Sequence, residues 1–424
     1  MKKTDPRYRK YVSLLYEELI PATGCTEPVA IAYAAATARD VLGRIPEDIC
    51  IQVSGNILKN AKSVIVPGTG GLHGIPTAIA AGIIAGDSSR RLNVIDSITS
   101  EQIAEIKSYQ DKTSIRVERL DTPHIFDILI HLSAEEDVAS VRITDNHTNI
   151  TLCELNGQTL RNPAEKASIQ SEEADDWMSL ADIFDFSATC ELSDVMEVLK
   201  LQETYNWAIA EEGLRGQYGA AIGAILREQG DDPKNISKAY AAAASDARMD
   251  GCEMPVVINS GSGNQGICAS IPILVYARMN HCPEEWMYRA LLFSNLTAVY
   301  EKKKIGCLSA YCGAVSAGAA AGAGIAFLLE RSYDAACHAL VNALAMASGI
   351  ICDGAKPSCA AKIALATEAG ILGYQMYLKG TQFRGGEGIL SSGVENSLNN
   401  VGLLARDGMS ETDRRIIQIM LETT

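Results

Sequence analysis

The chain has 424 residues, a length that on ordinary domain sizes of roughly 100–200 residues predicts two or three domains. Its formal charge of -15 and a pI near 5.0 exclude the basic face that nucleic acid or an anionic membrane surface would need, so the expected partner is a small molecule. Aromatic residues make up only 6%, and the apolar fraction is dominated by aliphatic residues and alanine, which predicts a large helical core with close helix contacts.

Met1 to Pro6 is polar and no apolar run follows, so no secretory leader is expected. Twelve cysteines are then expected in a reducing, cytoplasmic setting, where thiols serve metals or catalysis before they form disulfides. Apolar residues at helical spacing predict a first helix from Pro6 to Ile20, stopped by Pro21. The turn Gly24-Cys25-Thr26-Glu27-Pro28 precedes an alanine-rich helix that runs to Val41. Cys25 therefore stands just ahead of a helix N-terminus, where the positive dipole end lowers a thiol pKa; the plainer alternative is a half-buried cysteine in a turn.

Alternation predicts a strand from Ile49 to Ser54 and a short second one from Ser63 to Pro67. Between them lies Gly55-Asn56-Ile57-Leu58-Lys59-Asn60, and after them a glycine loop, Gly68 to Gly74, that holds His73 and opens a helix to Ala85. An amphipathic helix is expected over 100–109. Four strand-like runs follow within 114–155, with Asp145 to Thr148 as turn chemistry. An acidic stretch over 161–176 reads as a linker, and nearly everything from Ser179 onward reads as helix. Ala314–Leu328 and Ala335–Ile351 approach membrane-spanning length, but their Gly and Ala content and the breaks at Arg331, Asp334 and His338 predict buried helices.

The expected fold class is α+β, a mostly helical catalytic domain with a smaller α+β lobe. Residues 1–91 form the N-terminal part of the catalytic region, 92–160 a small antiparallel α+β lobe, 161–178 a linker, and 179–424 the helical catalytic domain that carries the cysteine turns.

Two stretches of that helical part carry chemistry. Asn259-Ser260-Gly261-Ser262-Gly263-Asn264-Gln265-Gly266 puts backbone N–H groups and short polar side chains in a loop that can surround a carboxylate. Cys312, Cys352 and Cys359, with Cys307 as a potential fourth, sit in Gly/Ala-rich turns that interrupt helices. Paired Cys-x2-4-Cys knuckles, the zinc signature, are missing, and the looser spacing suits an iron–sulfur cluster better; small core residues are the alternative. Three thiolates on a four-iron cluster would leave one iron open as a Lewis acid. The other cysteines read as packing, and the six histidines offer no paired metal motif.

The motifs at 24–28, 54–60, 66–69 and 259–266, together with Cys312, Cys352 and Cys359, resemble the iron–sulfur L-cysteine desulfidase family, which is related to the α chain of iron–sulfur L-serine dehydratases. The resemblance covers nearly the whole chain. It implies Cys312, Cys352 and Cys359 as ligands of a [4Fe-4S] cluster, Cys25 as the catalytic thiol, and β-elimination of L-cysteine to sulfide, pyruvate and ammonia. Ser260, Gly261, Ser262, Asn264 and Gln265 would bind the amino-acid head group, with Asn56 and Lys59 as further candidates. L-serine dehydration on the same cluster is the nearest rival. A non-enzymatic iron–sulfur sensor is the rival of another class, and Lys59 or Lys62 as a pyridoxal-phosphate lysine is a different route to the same products. A homodimer is left open.

Overall fold

The computed structural model describes residues 1–24, 26–160, 177–306 and 309–422. Cys25, Cys307 and most of the expected linker lie outside the described residues. The N-terminal region holds α1 (Pro6–Glu18), β1 (Pro21–Thr23), α2 (Thr26–Leu42), β2 (Asp48–Val53), α3 (Gly55–Ala61), α4 (Ile75–Ala85) and α5 (Ser100–Lys112), then β3 (Ser114–Arg119), β4 (Asp127–Ala134), β5 (Asp137–Thr144), β6 (Ile150–Leu155) and β7 (Gln158–Thr159).

The helical remainder holds α6 (Leu180–Thr189), α7 (Met196–Arg215), α8 (Ile222–Arg227), α9 (Pro233–Met249), β8 (Pro255–Val257), α10 (Gly263–Met279), α11 (Glu284–Ile305), α12 (Gly313–Glu330), α13 (Tyr333–Ala347), α14 (Ser358–Leu378), α15 (Val394–Leu403) and α16 (Ser410–Glu422). The fold is α+β and mostly helical, as expected from the helix-rich composition and the strand-like runs of 114–155.

Six strands form one sheet in the order β3-β2-β4-β5-β6-β7. The pairings from β2 through β7 are antiparallel, while β3 lies parallel to β2, so the sheet is mixed. Strict alternation of buried and half-buried residues along β2 gives it one inward face, Ile49, Ile51 and Val53. That face shares a core with α2, α4 and the inner residues of β4 and β5. The segment 48–53 and the strands after residue 114 therefore belong to one sheet and one core. The run 63–67, expected as a second strand, makes only the single bridge Ile65–His73, because the chain turns back on itself there through Gly68 to Gly71.

A second core contains α1, α6, α7 and the helices from α9 to α15, while α8 packs Ile222 and Leu226 on a small cluster of Ala242, Ala360 and Ala364. Here α1 packs Tyr8 and Tyr11 on Phe186, and β1 pairs antiparallel with β8, so the first 23 residues are part of the helical body. Helices α12 and α14 approach almost backbone to backbone. A β-carbon on Gly370 would stand 2.1 Å from the Gly318 carbonyl oxygen, and one on Gly318 would stand 2.4 Å from that of Ala366. Only glycine permits such a crossing, which accounts for the small-residue composition of both helices. Gly313–Glu330 is long and apolar enough to cross a membrane, but 83% of it is buried inside the protein.

Candidate active site

The two expected cysteine turns are joined by backbone. The Cys312 N–H donates to the Ile350 carbonyl at 3.1 Å and the Cys352 N–H to the Ala310 carbonyl at 2.6 Å, with Tyr311 bridged to Ile351 between them. This short antiparallel clasp holds the start of α12 beside the chain that enters α14. Cys359 lies in the first turn of α14, and its thiol donates to the Gly354 carbonyl at 3.5 Å. The three thiols feel one another. Burial pushes Cys312 up to about 12, with Cys352 and Cys359 adding to the shift, and burial likewise raises Cys359.

Charge compensation stands next to this set. Asp353 takes both Lys356 and Lys362, and although burial opposes its charge the two ammonium groups outweigh it and hold the carboxyl low. Lys362 also donates to the Ile351 carbonyl at 2.8 Å. Among the described residues no three Cys, His, Asp or Glu groups close on one point as the ligands of a single ion do.

The loop 259–262 is built as a tight two-residue turn. Asn259 and Ser262 exchange backbone hydrogen bonds at 3.1 and 3.0 Å, and Ser260 and Gly261 have φ of 49° and 75°, the positive values such a turn requires. A buried amide chain fixes it from below. Asn259 donates to Asn295 Oδ1 at 3.0 Å, Asn295 pairs with Gln202, and Ser260 Oγ donates to Asn259 Oδ1. Ser262 then caps α10 by accepting from the Gln265 N–H. The N–H groups of Gly263 and Asn264 fall among the first-turn donors that a helix leaves without internal partners.

Asn264 accepts from Ser245 and from Arg248 Nη1, at 3.3 and 3.4 Å. Gln265 is 6% exposed, its Oε1 has no donor among the described residues, and its carboxamide lies against Gly313, the residue after Cys312. Arg248 Nη2 donates at 2.9 Å to the carbonyl of Gly24, the residue before Cys25. One helix start thus reaches both the Gly24 turn and the Cys312 turn.

Lys59 and Asn56 lie on α3, further along the same wall. Lys59 is buried with its ammonium on Asp413 of α16 at 2.6 Å and within 3.5 Å of the Ser309 carbonyl, and its own carbonyl packs on Gly354. Asn56 accepts from Asn60, which also donates to Glu27 at 3.1 Å. A cleft of about 330 Å³ opens between Lys59, Ile351, Asp353, Lys356 and the α16 residues Ile416 and Met420. His73 is exposed at the mouth of its glycine loop. That loop closes on itself, with the Gly74 N–H bonded to the Val64 carbonyl.

Two residues near this wall carry no sequence motif. Arg248 sits in the alanine-rich α9, and its only local sign is a long cation among mostly small buried residues. His147, from the turn between β5 and β6, packs on Phe126; burial pushes its imidazole down, and the nearby Glu27 pulls it up. The Asp145–Thr148 turn chemistry locates that residue but not its neighbour.

The model of the serine dehydratase alpha chain family matches residues 89–418, a span that takes in the 259–266 loop and all three cysteines of the clasp. The chain belongs to that family. It is similar over its full length to the UPF0597 protein DSY1109 of Desulfitobacterium hafniense, at 50% identity over 423 residues, 99% of this chain and 98% of that one. UPF0597 proteins of Lachnoclostridium phytofermentans and Treponema denticola are 43% and 42% identical, covering 98% and 100% of this chain and 100% of their own.

Proposed function

We propose that this chain is an L-cysteine desulfidase, breaking the Cβ–S bond of L-cysteine by β-elimination to release sulfide and aminoacrylate, which tautomerises and hydrolyses to pyruvate and ammonia. The observation that carries the reading is the backbone clasp between the Cys312 and Cys352 turns, with Cys359 one turn further on. Three thiols gathered this way are a donor set of the kind an iron–sulfur cluster takes, and Cys312, Cys352 and Cys359 would hold a [4Fe-4S] cluster here. When bound to Cys312, Cys352 and Cys359, such a cluster supplies an open iron as Lewis acid toward the substrate.

The protein's own groups do the rest. Cys25 is proposed as the base that takes the Cα proton; Gly24 before it is anchored by Arg248, and α2 begins directly after it at Thr26. Ser262, Asn264 and Gln265 at the start of α10 are proposed to orient the head group. Ser260 and Gly261 shape the turn that presents them. Asn56 is proposed to act from the α3 side, while Lys59 supports the wall through Asp413. Dehydration of L-serine is the second reading, favoured by the family's own description as a serine dehydratase alpha chain.

The test is anaerobic reconstitution with iron and sulfide followed by separate incubation with L-cysteine and L-serine. Sulfide and pyruvate from L-cysteine at a higher kcat/KM than pyruvate from L-serine supports the first reading, and the reverse order supports the second. Loaded protein that eliminates neither removes both.

A further inference from the structure

Arg248 is 6% exposed, and its partners among the described residues are a carbonyl and a carboxamide oxygen and no carboxylate. A guanidinium has five N–H donors. Of these, one has a good acceptor, the Gly24 carbonyl at 2.9 Å, and one a weak contact, Asn264 Oδ1 at 3.4 Å; Nε is buried with no partner among the described residues. The side chain lies along the first residue of α10, since a β-carbon on Gly263 would stand 2.3 Å from Nε. Both features are electropositive. Arg248 stands in the last turn of α9, whose negative dipole end offsets part of its charge, but against the start of α10 the positive dipole end and the first-turn N–H groups of Gly263 and Asn264 add donors that have no acceptor among the described residues. The arrangement is completed by an anion.

The same helix start carries an orphan of opposite sense. Gln265 Oε1 is buried and lacks a donor among the described residues. A ligand that answers both groups has an anionic acceptor at one end and a cationic or neutral N–H donor close by, as a free α-amino acid has. We propose that Arg248 is the residue that binds the substrate's α-carboxylate, making this a site for zwitterionic α-amino acids rather than for amides, peptides or amines. The inference rests on the reading of the site as an amino-acid lyase and adds the residue that selects the class. Arg248 also anchors Gly24, so carboxylate binding and the placing of the turn before Cys25 share one side chain.

The test is calorimetric titration of the full chain, as isolated and after anaerobic reconstitution, with L-alanine, which has the head group and no leaving group, and with L-alaninamide, which lacks the carboxylate. Wild type binds L-alanine in preference to the amide. Arg248→Lys, which keeps the charge but loses the fork, weakens L-alanine about tenfold to a hundredfold and leaves the amide unchanged. Gly263→Ala, which displaces the guanidinium without removing it, weakens L-alanine in the same direction and keeps the fold.

Equal binding of the two ligands by wild type, no L-alanine binding in either form, or wild-type binding by Arg248→Lys each overturns the proposal. The two layers separate cleanly. If Arg248→Lys turns over L-cysteine with wild-type kcat/KM, the anchor is wrong and the lyase stands. If loaded wild type eliminates nothing yet binds L-alanine through Arg248, the anchor stands and the lyase reading is wrong.

Discussion

Gln265 rests its carboxamide where a side chain on Gly313 would be. A β-carbon at Gly313 would stand 2.6 Å from Gln265 Cδ and 2.7 Å from Nε2. The start of α10 and the cysteine turn at the start of α12 are therefore in contact through the one residue type that allows it. Gly313→Ala must displace the Gln265 amide, at a cost of about 1–3 kcal/mol by the usual penalty for overpacking. The expected outcome is a lower Tm in calorimetry, with L-alanine affinity reduced as well. An unchanged Tm with unchanged affinity shows that the two turns are not coupled.

Buried Lys59 and half-buried Asp413 form an ion pair at 2.6 Å that ties α16 to α3, helped by Lys62 donating to the Met420 carbonyl. Removing one partner leaves the other charge stranded, so Lys59→Met should destabilise by about 3 kcal/mol. Lys59→Met with Asp413→Leu should recover most of it, because the desolvation cost leaves with the pair. Limited proteolysis reads the same contact: Lys59→Met exposes sites in α16, and the double variant protects them. Equal protection of all three proteins contradicts the assignment.

Glu301 is fully enclosed in α11, both its carboxyl oxygens lack partners among the described residues, and burial raises its pKa well above the carboxylate range. In the unfolded chain a glutamate titrates at about 4.3. Above that value the folded state holds a proton that the unfolded state has released, so Glu301 lowers stability progressively as pH rises toward its folded pKa. Glu301→Gln keeps the shape without the titration. Its Tm relative to wild type should climb as pH rises above about 5; a difference that stays flat or falls contradicts a protonated Glu301.

Much of this site is legible in the sequence because its parts are local. The Cys312 and Cys352–Cys359 turns, the Ser260-Gly261 turn and the Gly24–Pro28 helix start each declare themselves by residues a few positions apart, and the structure finds a helix beginning at Thr26, Gly263, Gly313 and Ser358. Contacts between distant segments are not legible in this way. Arg248 reaches Gly24 across 224 residues and Lys59 reaches Asp413 across 354, and neither pairing leaves a mark in local spacing. The 63–67 run shows the opposite failure. Its alternation resembles a strand, but no neighbouring strand among the described residues supplies a ladder, and it folds back on residues 72–74 with the single bridge Ile65–His73. The parallel placement of β3 beside β2 is likewise fixed by the α4–α5 crossover, which packs on the sheet, and not by the pattern of either strand.

The central claim is a division of labour in which Cys312, Cys352 and Cys359 hold a cluster and Cys25 moves a proton. The most direct measurement is iron and acid-labile sulfide per chain, determined beside turnover, in anaerobically reconstituted wild type and Cys25→Ala, with Cys359→Ser as the reference for a lost ligand. The account predicts full iron and no turnover in Cys25→Ala, and depleted iron in Cys359→Ser. Depleted iron in Cys25→Ala, or full iron with wild-type turnover, contradicts it.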